Sequence, residues 1–117
     1  MIKVGECYYH KGVSHIVIAS ANYKDKFLIL SITSSNFDKS CEINENDIID
    51  NNGKQILEHT SYVCYKFAFE FKDFRTYEDF RKIYDYRCDI SKELLNKIQD
   101  GARKSKYLEH KFKKYFE

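Results

Sequence analysis

A chain of 117 residues, 43% hydrophobic and 32% charged, has the composition of one globular domain and argues against wholesale disorder. No apolar run approaches the ~18 residues of a membrane span, and Met1–Tyr9 lacks the apolar core of a secretory signal. The net charge of +2 is unevenly spread: residues 1–60 carry 6 lysines against 8 acids, residues 61–117 carry 14 basic against 10 acidic residues, and Arg103–Glu117 holds six basic residues and two acids.

These features lead to the expectation of a cytoplasmic protein with no membrane partner. The basic C-terminal segment is a candidate contact for phosphate or an acidic partner, beside its ordinary role as a solvated helix face. The four cysteines, Cys7, Cys41, Cys64 and Cys88, are singly and widely spaced, with no CxxC and no Cys/His pairing at zinc spacing. They read as reduced, mostly buried thiols, and neither a metal nor a cofactor is expected.

Gly5–His10 (GECYYH) is expected to be a first strand, followed by the turn signal Lys11-Gly12 and a second, β-branched strand at Ser14–Ser20 (SHIVIAS). Lys26–Ser35 (KFLILSITSS) is the most apolar stretch, and its near-continuous run suits a strand buried on both faces. It ends in the hydroxyls of Thr33, Ser34 and Ser35. A short strand at Ser40–Ile43 carries Cys41. Residues 44–54 are dense in turn residues, with Asn52-Gly53 the strongest turn signal and Ile48 and Ile49 expected to tuck the loop against the body. Ser61–Lys72 alternates cleanly, which places Val63, Tyr65, Phe67, Phe69 and Phe71 together on a core-facing side.

The last third changes period. Thr76 followed by Asp79 is a weak capping box for a helix of about two turns, in which Phe80, Ile83 and Tyr84 share a face. Ser91 caps a second helix with the stripe Ile90, Leu94, Leu95 and Ile98, and Gly101 lies late in it. Ser105 opens a final segment with Leu108, Phe112 and Phe116 at helical spacing. About five short strands with no helix between them mean α+β, as a single domain over 1–117, strand-rich over 1–72 and helical over 76–117. That arrangement favours a small, strongly curved antiparallel half-barrel with helices at one end.

Three groups of residues are candidates for chemistry. His15, beside Ser14 at the mouth of the second strand, can move a proton near neutral pH or simply hydrogen-bond within the sheet. Thr33 and Ser34 can orient a phosphate or an attacking 2′-OH, or merely reflect strand and turn preference. His59, Ser61 and Tyr62 stand at the entrance to the long strand, where His59 is either a second acid/base group or a pin for the preceding loop. No Walker loop, GxGxxG or HExxH is present. Arg75, Arg81 and Arg87 are spread around the first helix, with surface solvation their ordinary role and phosphate contact the alternative.

The order SHIVIAS, an apolar strand ending in Thr-Ser, a short strand with Cys41, a loop and then HTSYVCYKFA resembles the PemK/MazF-like toxin superfamily, in particular divergent bacterial members. The C-terminal ISKELLNKIQDGARKSKYL is similar to the ending of those relatives, and the resemblance spans most of residues 5–108. It implies an SH3-like β-barrel with C-terminal helices and a metal-independent endoribonuclease toxin. Such toxins cleave single-stranded RNA through its own 2′-OH, are held inactive by a cognate antitoxin protein and form homodimers. Thr33 matches the family hydroxyl at the end of the third strand. The arginine that family members carry at the opening of the second strand is replaced here by Ser14-His15. His15 and His59 then take the acid/base role, Lys11 the charge, and Ser14, Ser34, Ser61 and Tyr62 substrate contacts. The alternative is a non-catalytic barrel module that binds a protein partner or RNA. A hydrolase using one of the cysteines is a third reading.

Overall fold

The computed structural model describes residues 2–117, the side chains of 73–77 excepted. Six strands, β1 (Glu6–His10), β2 (His15–Tyr23), β3 (Lys26–Thr33), β4 (Glu42–Ile43), β5 (Ser61–Lys72) and β6 (Tyr84–Asp89), form one antiparallel sheet in the order β4-β5-β3-β2-β1-β6. Helix α1 (Asp73–Ile83) links β5 to β6, helix α2 (Lys92–Lys104) follows, and a 3-10 helix (His110–Phe116) ends the chain. The architecture is α+β, a curled half-barrel sheet with a few helices. Among the described residues no helix is long and apolar enough to cross a membrane.

Strand β3 lies at the centre, and its alternation serves both sheet faces. Leu28, Leu30 and Ile32 join the larger core, with Cys7, Ile16, Ile18, Tyr65, Leu94, Ile98, Phe112 and Phe116. Ile29 joins the smaller one, with Tyr8, Val17, Ala19, Phe80 and Tyr84. Leu28, Ile29 and Leu30 are fully buried, each worth about 2 kcal/mol of transfer free energy. The larger core lies under α2 and the 3-10 helix, the smaller one under α1.

Helix α2 begins where expected: the Ser91 hydroxyl accepts the Leu94 N–H at 3.1 Å. Gly101 then meets the sheet so closely that a methyl there would lie 2.8 Å from Cys41 Cβ and 2.9 Å from the Ser40 carbonyl oxygen. Buried Tyr65 donates its hydroxyl to the Ile98 carbonyl at 2.7 Å, and burial keeps that phenol protonated far beyond its ordinary range. Asp38, 3% exposed, accepts from Ser40 N and Oγ (3.0 and 2.6 Å) and from Ser105 Oγ (2.7 Å), tying the loop after β3 to the end of α2. Lys113 donates to the carbonyls of Ala102 and Ser105, both at 2.9 Å, closing the C-terminus of α2. Arg103 donates to the Phe116 carbonyl and to Asp100. Much of the basic segment is thus engaged in structural contacts.

Several expectations change. The strands number six, not five, and the last third is not wholly helical, because Tyr84–Asp89 pairs with β1 as an edge strand. Tyr84 leaves the helix for that strand, and Ile83 is 44% exposed. Helix α1 starts at Asp73, three residues before Thr76, whose side chain lies outside the described ones, as does that of Arg75. Ile48 is buried but Ile49 is exposed, and Ser105 closes α2 rather than opening the next segment.

The aromatic row of β5 does not share one face. Between the pairs Ile29↔Phe69 and Ser31↔Cys64, residues 65–68 of β5 stand against Leu30 alone, a large irregularity in the ladder. Tyr65 and Ala68 turn into the larger core, Phe69 and Phe71 pack against the smaller, and Phe67 is left 65% exposed. Extra residues reverse the facing of all that follows.

Candidate functional site

At one end of the sheet the start of β2, the end of β3, the start of β5 and the middle of β6 surround an open cavity of about 580 Å³, within the size range of ligand sites. Antiparallel pairing explains the gathering, since alternate strands begin and end at the same edge. Ile16, Ile32, Ile56 and Leu57 supply apolar lining, while Ser14, His15, Thr33, Ser34, His59 and Ser61 supply the polar lining expected from sequence. His15 and Thr33 both lie two residues beyond the last β2–β3 ladder pair at this end, Val17↔Ser31. Neither imidazole, His15 or His59, has a hydrogen bond or ion pair among the described residues, and both are exposed.

Local structure holds each group in place. Ser14 adopts φ 57°, a left-handed conformation uncommon outside glycine, and its N–H donates to the His10 carbonyl at 2.9 Å, closing the β1–β2 turn. Thr33 Oγ1 accepts the Ser35 N–H at 3.2 Å and retains its own proton to donate. Ser61, buried, donates to the His59 carbonyl at 3.1 Å and so fixes the backbone that carries His59.

The opposite wall comes from a small hairpin within residues 48–56, closed by the Ile49↔Gln55 bridge and by Asp50 N–H to the Lys54 carbonyl at 2.8 Å. Asp50 Oδ1 accepts the N–H groups of Asn52 and Lys54 at 2.8 and 2.9 Å. The bond from Lys54 is the main cause of its lowered pKa, with the charges of Lys54 and Arg87 adding to the effect. Gly53, at φ 82°, makes the tip, as Asn52-Gly53 indicates. Asp50, Lys54 and Glu58 all line the cavity.

Two residues expected at the site lie outside the lining. Lys11 pairs with Asp85 at 3.2 Å, and the Tyr62 hydroxyl donates to Glu42 at 3.3 Å. Sequence reasoning left Arg87 among surface arginines, yet it lines the cavity, its Cζ over the Tyr9 ring at 4.9 Å from the centroid. No local signal marks the strand that carries it, because Phe80, Ile83 and Tyr84 continue a helical spacing into it. The cysteines offer no nucleophile at this cavity: all four are buried and none lines it. Burial raises the Cys41 thiol pKa, and the thiol–thiol hydrogen bond with Cys88 raises that of Cys7.

No family model, curated protein or solved structure matches the chain. The functional reading therefore rests on the cavity and on the sequence pattern that leads to it. Among the described residues no group of three or more His, Cys, Asp or Glu side chains is placed to hold a metal ion.

Proposed function

We propose that this chain is an endoribonuclease toxin of the PemK/MazF-like kind, built on an SH3-like barrel, that cleaves single-stranded RNA by attack of the 2′-OH. The observation that carries the reading is one cavity lined by two histidines, His15 and His59, whose imidazoles have no partner among the described residues, together with the hydroxyls of Thr33, Ser34 and Ser61. One imidazole takes the proton of the 2′-OH as its oxygen attacks phosphorus. The bond from phosphorus to the 5′-oxygen breaks, and the other imidazole protonates that leaving oxygen. The products are a 2′,3′-cyclic phosphate and a free 5′-hydroxyl. Thr33 donates its hydroxyl proton to a phosphate oxygen and so orients the reacting group. A cognate antitoxin that covers the cavity, and a homodimeric state, belong to the same proposal.

The test is incubation of the purified chain with single-stranded RNA in EDTA, followed by end-group analysis of the fragments. Cleavage with cyclic-phosphate ends is expected, falling roughly 100- to 10,000-fold in His15→Ala and in His59→Ala. RNA binding without cleavage would select the non-catalytic barrel module instead. Full activity in both variants would remove the histidines from the mechanism.

A further inference from the structure

The ladder between β1 and β6 contains one irregularity. Cys7 pairs with Cys88 and Tyr8 with Tyr86, so Arg87 is an extra residue with no partner on β1. Strict alternation would set Arg87 on the sheet face opposite Cys88, with Tyr8's partner on the Cys88 face. The bulge changes this. Cys88 lies in the larger core, while Tyr84, two residues before Tyr86, lies in the smaller one with Tyr8. Arg87 is redirected to the side of Tyr9, which packs against the larger core.

The consequence is a guanidinium set over the ring of Tyr9. Tyr9 is half-buried, and Arg87 Cζ lies over its ring, 4.9 Å from the centroid. No hydrogen bond or ion pair engages the Arg87 guanidinium among the described residues. Arg103, by contrast, has its donors on Asp100 and the Phe116 carbonyl. Asp50, the carboxylate that senses the charge of Arg87, already has Oδ1 occupied by two N–H groups of its own turn.

We propose that Arg87 is the phosphate-binding residue of the cavity, that Tyr9 is the positioning residue that holds it there, and that the ligand they select is a phosphodiester of a single strand. A guanidinium held over a ring by cation–π attraction keeps its N–H fork for a ligand, and that fork matches two oxygens of one phosphate. Lys54, on the hairpin wall, supplies a second cation to the same cavity. The assignment rests on the ribonuclease reading for its substrate, and it answers the absence of an arginine at the start of β2 with one from a different strand.

The experiment uses the full chain and a fluorescent single-stranded RNA with 2′-O-methyl riboses, which cannot be cleaved, over a series of salt concentrations. Arg87→Ala is expected to weaken binding roughly 10- to 100-fold and to flatten the slope of log affinity against log salt by about 0.7, the loss of one phosphate contact. Arg87→Lys is expected to keep the slope and lose part of the affinity. Tyr9→Phe should behave as the parent, and Tyr9→Leu should weaken binding with the slope retained. An unchanged slope in Arg87→Ala overturns the assignment.

Two further arms separate this proposal from the ribonuclease reading. Equal cleavage of unmodified RNA by the parent and Arg87→Ala would remove Arg87 while leaving that reading intact. If RNA is neither bound nor cleaved, the chain is titrated with inorganic phosphate and the Arg87 Nε–H resonance followed. A shift absent from Arg87→Lys spectra would keep the arginine as an oxyanion site and reject the RNA substrate, whereas no shift would reject both.

Discussion

The packing around α2 and the cavity at the end of the sheet treat polar groups in opposite ways. Beneath α2, Asp38 has three donors, Tyr65 reaches the Ile98 carbonyl, Gln99 donates to the Ser20 carbonyl, and Lys113 closes the helix end. At the cavity, His15, Lys54, Glu58, His59 and Arg87 share one concavity, and none of their side chains has a hydrogen bond or ion pair among the described residues. The first region has its polar groups satisfied because water is excluded from it. The second leaves its groups to solvent, in reach of whatever enters. Stability and function are therefore expected to respond to different substitutions.

The sharpest way to break this contrast is Asp38→Ala, which strands the Ser40 N–H and the hydroxyls of Ser40 and Ser105. A loss of about 3 kcal/mol is expected from the urea midpoint at constant m-value. Gly101→Ala sets two effects against each other. Helix propensity gains about 1 kcal/mol, but the new methyl collides with the Tyr65 hydroxyl, Cys41 and the Ser40 backbone. Overpacking of this kind costs about 1–3 kcal/mol, and backbone at Ser40 cannot swing aside, so a net loss of about 1 kcal/mol is expected in the same assay. The smallest changes belong to the cavity. His15→Ala, Lys54→Ala and Glu58→Ala should each leave stability within ~0.5 kcal/mol of the parent. A cavity variant that melted as readily as Asp38→Ala would end the distinction.

The central strand, the Ser91 cap and the Asn52-Gly53 turn were legible because each is set by neighbours in sequence: an apolar run, a hydroxyl three residues before an N–H, and a residue tolerant of positive φ. The polar lining from His15, Thr33, His59 and Ser61 was legible for a related reason, since all four stand at strand ends marked by turns. Strand β6 was not. Phe80, Ile83 and Tyr84 continue a helical spacing, and only pairing with β1, some 75 residues earlier, converts Tyr84–Asp89 into a strand. The two bulges that matter most were likewise invisible. Sequence parity places Phe67 with the core and leaves Arg87 among the arginines near the first helix, whereas the ladders with β3 and β1 expose Phe67 and set Arg87 beside Tyr9.

The sheet remains open at β4 and β6, and open edges invite a strand from another chain. Strand β4 is two residues long, which leaves little backbone to template such an addition. Strand β6 is longer, but Asp85, Arg87 and Asp89 punctuate it with charge, and the bulge at Arg87 breaks the regular spacing of its outward N–H and carbonyl groups. The irregularity that aims an arginine into the cavity thus also guards the longer edge against aggregation.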